Sequence, residues 1–225
     1  MSVSVEALKI KNRQRWSLAK ITRGPELAQI AKRLVAAKKR YQVVQAQTGV
    51  PWFIIAVIHE REASQRWDTQ LGQGDPLNKV SVHVPKGRGP FKMWEDGAVD
   101  ALANCHPFAA RWRDWTPAGA LTLLEEYNGL GYAARGLPSP YVWSGTDQYK
   151  RGKYVADGKF DPDVVDKQLG CAGLILAMRE LDPSVNFVGA DVPAPPPPDV
   201  PNLGTPEPNS GHWLIRLLKS IFTKG

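Results

Sequence analysis

The sequence predicts a mainly α fold of the α+β kind, a helical domain with one small β-hairpin excursion, and three observations carry that expectation. Helical periodicity or punctuation recurs over 26–47, from Pro51 to Ser64, and around 95–105, 117–128 and 161–181. A single short run, Val80-Ser81-Val82-His83-Val84, alternates apolar and polar groups between glycines and prolines, which predicts a hairpin within 68–92. Finally, 225 residues with 43% hydrophobic and 23% charged side chains suffice for one domain or one and a half, with a buried core.

The first long helix, 26–47, places Leu27, Ile30, Ala31, Leu34 and Tyr41 at spacings of three, four and seven, with Gly24-Pro25 before it and Gly49 after it. The next begins at Pro51, where a missing N–H costs nothing. It continues as Trp52-Phe53-Ile54-Ile55-Ala56-Val57-Ile58, apolar on every side, so it must be a core helix. Without a break it runs into His59-Glu60-Arg61-Glu62-Ala63-Ser64, delivering charge at the end of the most hydrophobic element of the chain. Asp96 and Asp161-Pro162 mark the starts of two later helices. No repeat of 20 to 50 residues is visible, which excludes a solenoid.

Four segments follow from this: a basic helical segment over 1–49, a catalytic-sized domain over 50–190, a linker over 191–211 and a terminal helix over 212–225. The linker holds eight prolines between 193 and 208 and reads as an extended spacer. The terminal segment keeps Arg216, Lys219, Ser220 and Thr223 on one helical face and apolar groups on the other, a pattern suited to lying on a membrane or to docking on protein.

Net charge is +7 and unevenly placed. Residues 1–47 hold eleven basic side chains against Glu6 and Glu26, a balance of +9, while the remainder carries 18 against 20, or −2. A basic helical segment suits nucleic acid, an anionic membrane or an anionic envelope polymer, or is simply a solvated face. No zinc-finger spacing, aromatic RNA-binding motif or heptad run accompanies it, so no nucleic-acid partner is expected. No apolar run reaches the length of a bilayer span, and the first residues lack a secretory pattern, so the expected site of synthesis is the cytoplasm. Cys105 and Cys171 are too sparse for a disulfide framework and read as buried thiols, with a pairing after export left open.

On the helix from Pro51, residues Ile55, Ile58, His59 and Glu62 fall at i, i+3, i+4 and i+7, so Glu62 continues an apolar face with His59 beside it. A carboxyl so placed should be partly desolvated, which favours its protonated form and suits a general acid of glycoside cleavage. The plain alternative is a helix-end glutamate paired with Arg61 or Arg66. His59-Glu60 starts like a zinc-protease helix, but the position of the second histidine is Ala63, and His83, His106 and His212 show no ligand spacing. A G-x-S-x-G elbow, a local Cys–His signature and a phosphate-cradling glycine loop are all missing, and no metal or organic cofactor is expected.

Read together, two separated segments carry a resemblance. Arg61-Glu62-Ala63-Ser64 at the end of a buried helix resembles the glutamate motif of lysozyme-like enzymes, lytic transglycosylases in particular. Glu125-Glu126-Tyr127-Asn128-Gly129-Leu130-Gly131-Tyr132 resembles the tyrosine-asparagine segment of that superfamily. Between them, Leu71-Gly72-Gln73-Gly74-Asp75-Pro76-Leu77 and Val82-His83-Val84-Pro85-Lys86-Gly87-Arg88 are similar to a subgroup of bacterial and phage lysozyme-like proteins, including endolysins. The resemblance covers about 50–180. Serine usually follows the glutamate directly in transglycosylases, whereas Ala63 intervenes here, so Glu60 stays open beside the favoured Glu62.

The resemblance implies a lysozyme-like fold and cleavage of the bond between N-acetylmuramic acid and N-acetylglucosamine in peptidoglycan, with Glu62 as the acid. Tyr127 would orient it and Asn128 would meet the sugar acetamido group, a core tyrosine being the plain alternative for Tyr127. Asp75, in a Gly-Asp-Pro turn, is the candidate second carboxylate. Its distance from Glu62 would separate an inverting from a retaining scheme, and without it an anhydro product is implied. His59, Trp143 and Tyr149 complete the expected substrate contacts, packing being the alternative for the two aromatics. A monomeric endolysin that reaches the wall after inner-membrane breach, its terminal helix binding anionic envelope surfaces, is the expected whole. A non-catalytic wall- or membrane-binding module of the same fold is its rival.

Overall fold

The structure, a computed structural model, describes residues 3–156 and 158–188. The expected linker at 191–211 and terminal helix at 212–225 lie outside the described residues. Among the described residues the chain is mainly helical, with α1 (Val5–Leu18), α2 (Gly24–Ala36), α3 (Lys38–Thr48), α4 (Trp52–Ala63), α5 (Trp94–Asn104), α6 (Pro117–Asn128), α7 (Gly131–Ala134), α8 (Pro140–Trp143) and α9 (Cys171–Leu181). A two-stranded antiparallel sheet, β1 (Lys153–Ala156) with β2 (Lys159–Asp161), pairs Lys153 with Asp161 and Tyr154 with Phe160. None of the described helices is long and apolar enough to cross a membrane.

The helix α4 is the hub. Every residue from Trp52 to Arg61 is buried, as its all-round apolar sequence requires, and α2, α3 and α9 pack around it. Ile54, Ile55, Val57 and Ile58 have no exposed surface, and each such side chain contributes roughly 1.5–3 kcal/mol by leaving water. The amide side chain of Gln45 in α3 accepts a 2.7 Å hydrogen bond from the Trp52 N–H, satisfying one of the donors that the start of α4 leaves open. At its other end the chain leaves α4 through two consecutive left-handed residues, Ser64 at φ 50° and Gln65 at φ 58°. The Gln65 side chain holds that turn by donating to Arg33 O and Tyr41 Oη.

Three sequence expectations are corrected here. The hairpin is not at 80–84: Val80, Val82 and Val84 are all exposed, at 51%, 67% and 45%, so alternation there has no core face to fill and the segment stays irregular. The strands form at 153–161 instead, where Tyr154 packs edge-on against Tyr132 and Phe160. The periodic run 26–47 is two helices, broken at Ala37 (φ −90°, ψ 6°), whose N–H turns back to carbonyls of α2. The helical run expected from 161 is shortened to α9. Asp161 is spent on the sheet, and a Cβ on Gly170 would lie 2.5 Å from the Val142 carbonyl oxygen, so the chain enters α9 only after this close approach.

No boundary of packing falls at 49/50 either. Leu27, Ala31, Leu34, Tyr41 and Val44 belong to the same core as α4 and α9, and α1 packs on α6. The basic segment finds its counter-charges within the chain: Lys9 pairs with Asp114, Arg33 with Glu60, Lys38 with Asp182 and Arg40 with Glu95. Arg40 also stacks over Trp67 at 3.8 Å. Both Cys105 and Cys171 are buried as thiols.

Candidate active-site groove

The last turn of α4 opens onto a groove of about 1200 Å³. Its walls are Glu60–Ser64, the loop residues Gln73, Gly74 and Val82–Val84, the run 164–169 that leads into α9, and Arg23, Glu26 and Ile30 at the start of α2, with Lys86 and Lys153 among the basic side chains that face it. The groove exceeds the range of small-molecule clefts, about 300–1,000 Å³, so it has room for a ligand larger than one small molecule.

Glu62 is half-buried at this edge, and its Oε1 accepts a 2.9 Å hydrogen bond from the hydroxyl of Tyr141. Tyr141 is buried behind it, and burial together with the adjacent carboxylate holds its pKa well above the ordinary phenol value, so the hydroxyl keeps its proton and donates. The Arg61 guanidinium stacks on the Tyr141 ring at 4.6 Å, donates to Leu169 O at 3.1 Å and reaches Asp166 at 3.5 Å. Asp166 is bound in turn by Lys153 at 2.9 Å. Burial raises the Asp166 carboxyl, but Arg61 and Lys153 outweigh it and hold the group ionised below the usual range. Gln168 closes the ring by donating to Arg61 O. These contacts tie the end of α4 to 164–169 next to Glu62.

The neighbouring glutamate is placed differently. Glu60 is buried and faces Arg33 of α2 at 3.5 Å, whereas among the described residues no ion pair involves Glu62.

The other expected site residues separate into two groups. Asp75 is 4% exposed and does not line the groove; its carboxylate accepts the N–H groups of Val82 and His83, both at 3.1 Å, and the His83 ring at 2.6 Å. Burial raises its pKa, and these hydrogen bonds more than reverse that, leaving it depressed. His83, a residue singled out only for lacking metal-ligand spacing, does line the groove.

The expected substrate contacts do not line the groove. His59 is wholly buried, hydrogen-bonded to Tyr41 Oη and Arg66 O and stacked on Trp94, and burial pushes its pKa down to about 4. It faces the core because its side of α4 is covered by the returning Trp67 strand of chain. Trp143 has no exposed surface, and Tyr149, at 7%, is occupied with Gly152 O and the Asp166 N–H. Tyr127 is a core side chain at 2% exposure, as its plain alternative has it. The tyrosine that meets Glu62 is Tyr141, two residues from the expected Trp143. Asn128 donates to Ser139 Oγ just ahead of the short helix that carries Tyr141.

Tyr141, Arg61 and Asp166 were not legible as site residues. Nothing in Pro140-Tyr141-Val142-Trp143 distinguishes the ring that reaches α4 from the one that packs. Among the described residues no cluster of three or more histidine, cysteine or acidic side chains converges as a metal site. Comparison with protein-family models, with curated proteins and with solved structures found no match.

Proposed function

We propose that this protein is a glycosidase acting through Glu62 as general acid. The observation that carries the proposal is the placement of Glu62: half-buried on the groove, outside any ion pair among the described residues, and oriented by a buried phenol that donates to one oxygen. The remaining oxygen can carry the proton that a leaving sugar oxygen needs as an oxocarbenium-like transition state develops. Glu60 suits this role less well, because it is buried and its carboxylate is paired with Arg33 at 3.5 Å.

The substrate proposed is peptidoglycan, cleaved between N-acetylmuramic acid and N-acetylglucosamine, as the resemblance of the Glu62 and Tyr127-Asn128 segments to lysozyme-like enzymes implies. Such an enzyme would serve as an endolysin, acting on the wall once the inner membrane is breached. Clearing of purified peptidoglycan tests both parts. Wild type should lower the turbidity, Glu62→Gln should not, and Glu60→Gln should retain activity. Clearing by Glu62→Gln with loss in Glu60→Gln moves the acid by two residues; binding without clearing by wild type makes the protein a wall-binding module.

A further inference from the structure

We propose that His83, oriented by Asp75, is the general base of this groove, so that the reaction is hydrolysis by a water activated on the imidazole. The inference rests on the glycosidase reading and supplies its second group.

The expected second carboxylate cannot play that part directly. Asp75 is buried outside the groove lining, and both of its oxygens are engaged, Oδ2 by two backbone N–H groups and Oδ1 by the His83 ring. What it presents to the groove is a histidine held at one nitrogen. With Nδ1 donating to an ionised Asp75 at 2.6 Å, a neutral His83 carries its lone pair on Nε2. The His83 side chain is 64% exposed and lines the same groove as Glu62, so a water held there is within reach of solvent exchange.

The loop that carries it is braced. Ser81 Oγ donates to Pro85 O and accepts from the Arg88 N–H, Gln73 donates to the same Pro85 oxygen, and Arg88 pairs with Asp100 of α5. An aspartate that fixes the tautomer and direction of an imidazole is the arrangement by which hydrolases position a base.

In the step proposed, the water oxygen bonds to the anomeric carbon as the bond from that carbon to the bridging oxygen breaks. The electron pair of the broken bond stays on the bridging oxygen, which takes the Glu62 proton. The water proton passes to His83 Nε2 and then to solvent, and Glu62 takes a proton back from solvent, which restores both groups. The fragment that keeps the anomeric carbon ends in a hydrated reducing sugar, and the other ends in the hydroxyl formed from the bridging oxygen.

Mass analysis of the fragments released from purified peptidoglycan tests this with the full chain. Wild type should release hydrated reducing ends. His83→Gln and Asp75→Asn should lower kcat for that product by roughly 10² or more with KM retained, the scale of a general base. Added imidazole should restore part of the rate to His83→Ala, which a merely structural histidine would not allow. Anhydro ends from wild type, or a His83→Gln rate near that of wild type, overturn the base assignment and leave the glycosidase reading standing. No cleavage by wild type overturns both.

Discussion

Glu62 and Glu125 sit near the C-terminal ends of two buried helices, α4 and α6, and differ in what lies beyond them. Glu62 opens on the groove and is held by the Tyr141 hydroxyl. Glu125 is 1% exposed, with Arg15 of α1 as its nearby positive charge; burial pushes its pKa up to about 7 despite that charge. A protonated carboxyl near neutral pH is therefore no signature of an acid catalyst here. Burial alone raises the Glu125 carboxyl, and Glu125 does not line the groove.

The sharpest way to break this contrast is to neutralise each glutamate in turn. Glu62→Gln should reduce peptidoglycan clearing by roughly 10² or more, the usual worth of general acid catalysis, while Glu125→Gln should clear at the wild-type rate. Loss of clearing in Glu125→Gln with its fold intact would abolish the distinction.

The next effect is on stability. An acid whose folded pKa is raised keeps its proton where the unfolded chain has lost it, so its contribution declines as pH rises from 4.5 to about 7. The difference in unfolding free energy between wild type and Glu125→Gln should shift by about 3 kcal/mol across that window, to the disadvantage of wild type at the alkaline end. His59 works in the other direction: with a folded value of about 4 against 6.5, it favours the folded state increasingly as pH rises between those values. Denaturant melts from pH 4 to 8 on both proteins isolate the Glu125 part, and parallel curves would refute it.

Smaller again is the loss expected from Tyr141→Phe. Removing one hydrogen bond to a carboxylate is worth about 1.5–3 kcal/mol, so kcat should drop by roughly ten- to a hundredfold while Trp143→Phe, a core change, acts mainly on melting temperature. Equal activity in Tyr141→Phe would show that Glu62 needs no phenol to orient it. Smallest is Ser64→Gly at the turn that follows Glu62. Relief of the left-handed backbone there should raise stability by about 0.5–1 kcal/mol, read as a higher denaturation midpoint.

Much of the helical frame was legible. Pro117–Asn128 emerges with the bounds its sequence predicts, opened by Thr116 accepting from the Gly119 N–H, and α5 lies within a residue of its expected start and end. That Glu62 reaches a groove at the surface was legible, because an apolar helix ending in charge must surface somewhere. The hairpin was misplaced because alternation at Val80–Val84 signals a strand only if one face is covered; those valines are exposed, whereas Tyr154 and Phe160 are covered by Tyr132. The aromatics were misassigned for a related reason: Trp143, Tyr149 and Tyr141 have similar chemistry, and only the packing of α8 against α9 and α6 decides which of them touches α4's last turn.

Local pattern by itself determined that α4 is a core helix, where its charge begins, and that the chain is mainly helical, because periodicity and burial follow from side-chain spacing alone. The tertiary structure decided which partners that charge meets. Tyr141 lies 79 residues from Glu62 and Asp166 lies 105 from Arg61, separations across which sequence spacing carries no geometry. Even Asp75 and His83, eight residues apart, become a pair only through the fold of a braced loop.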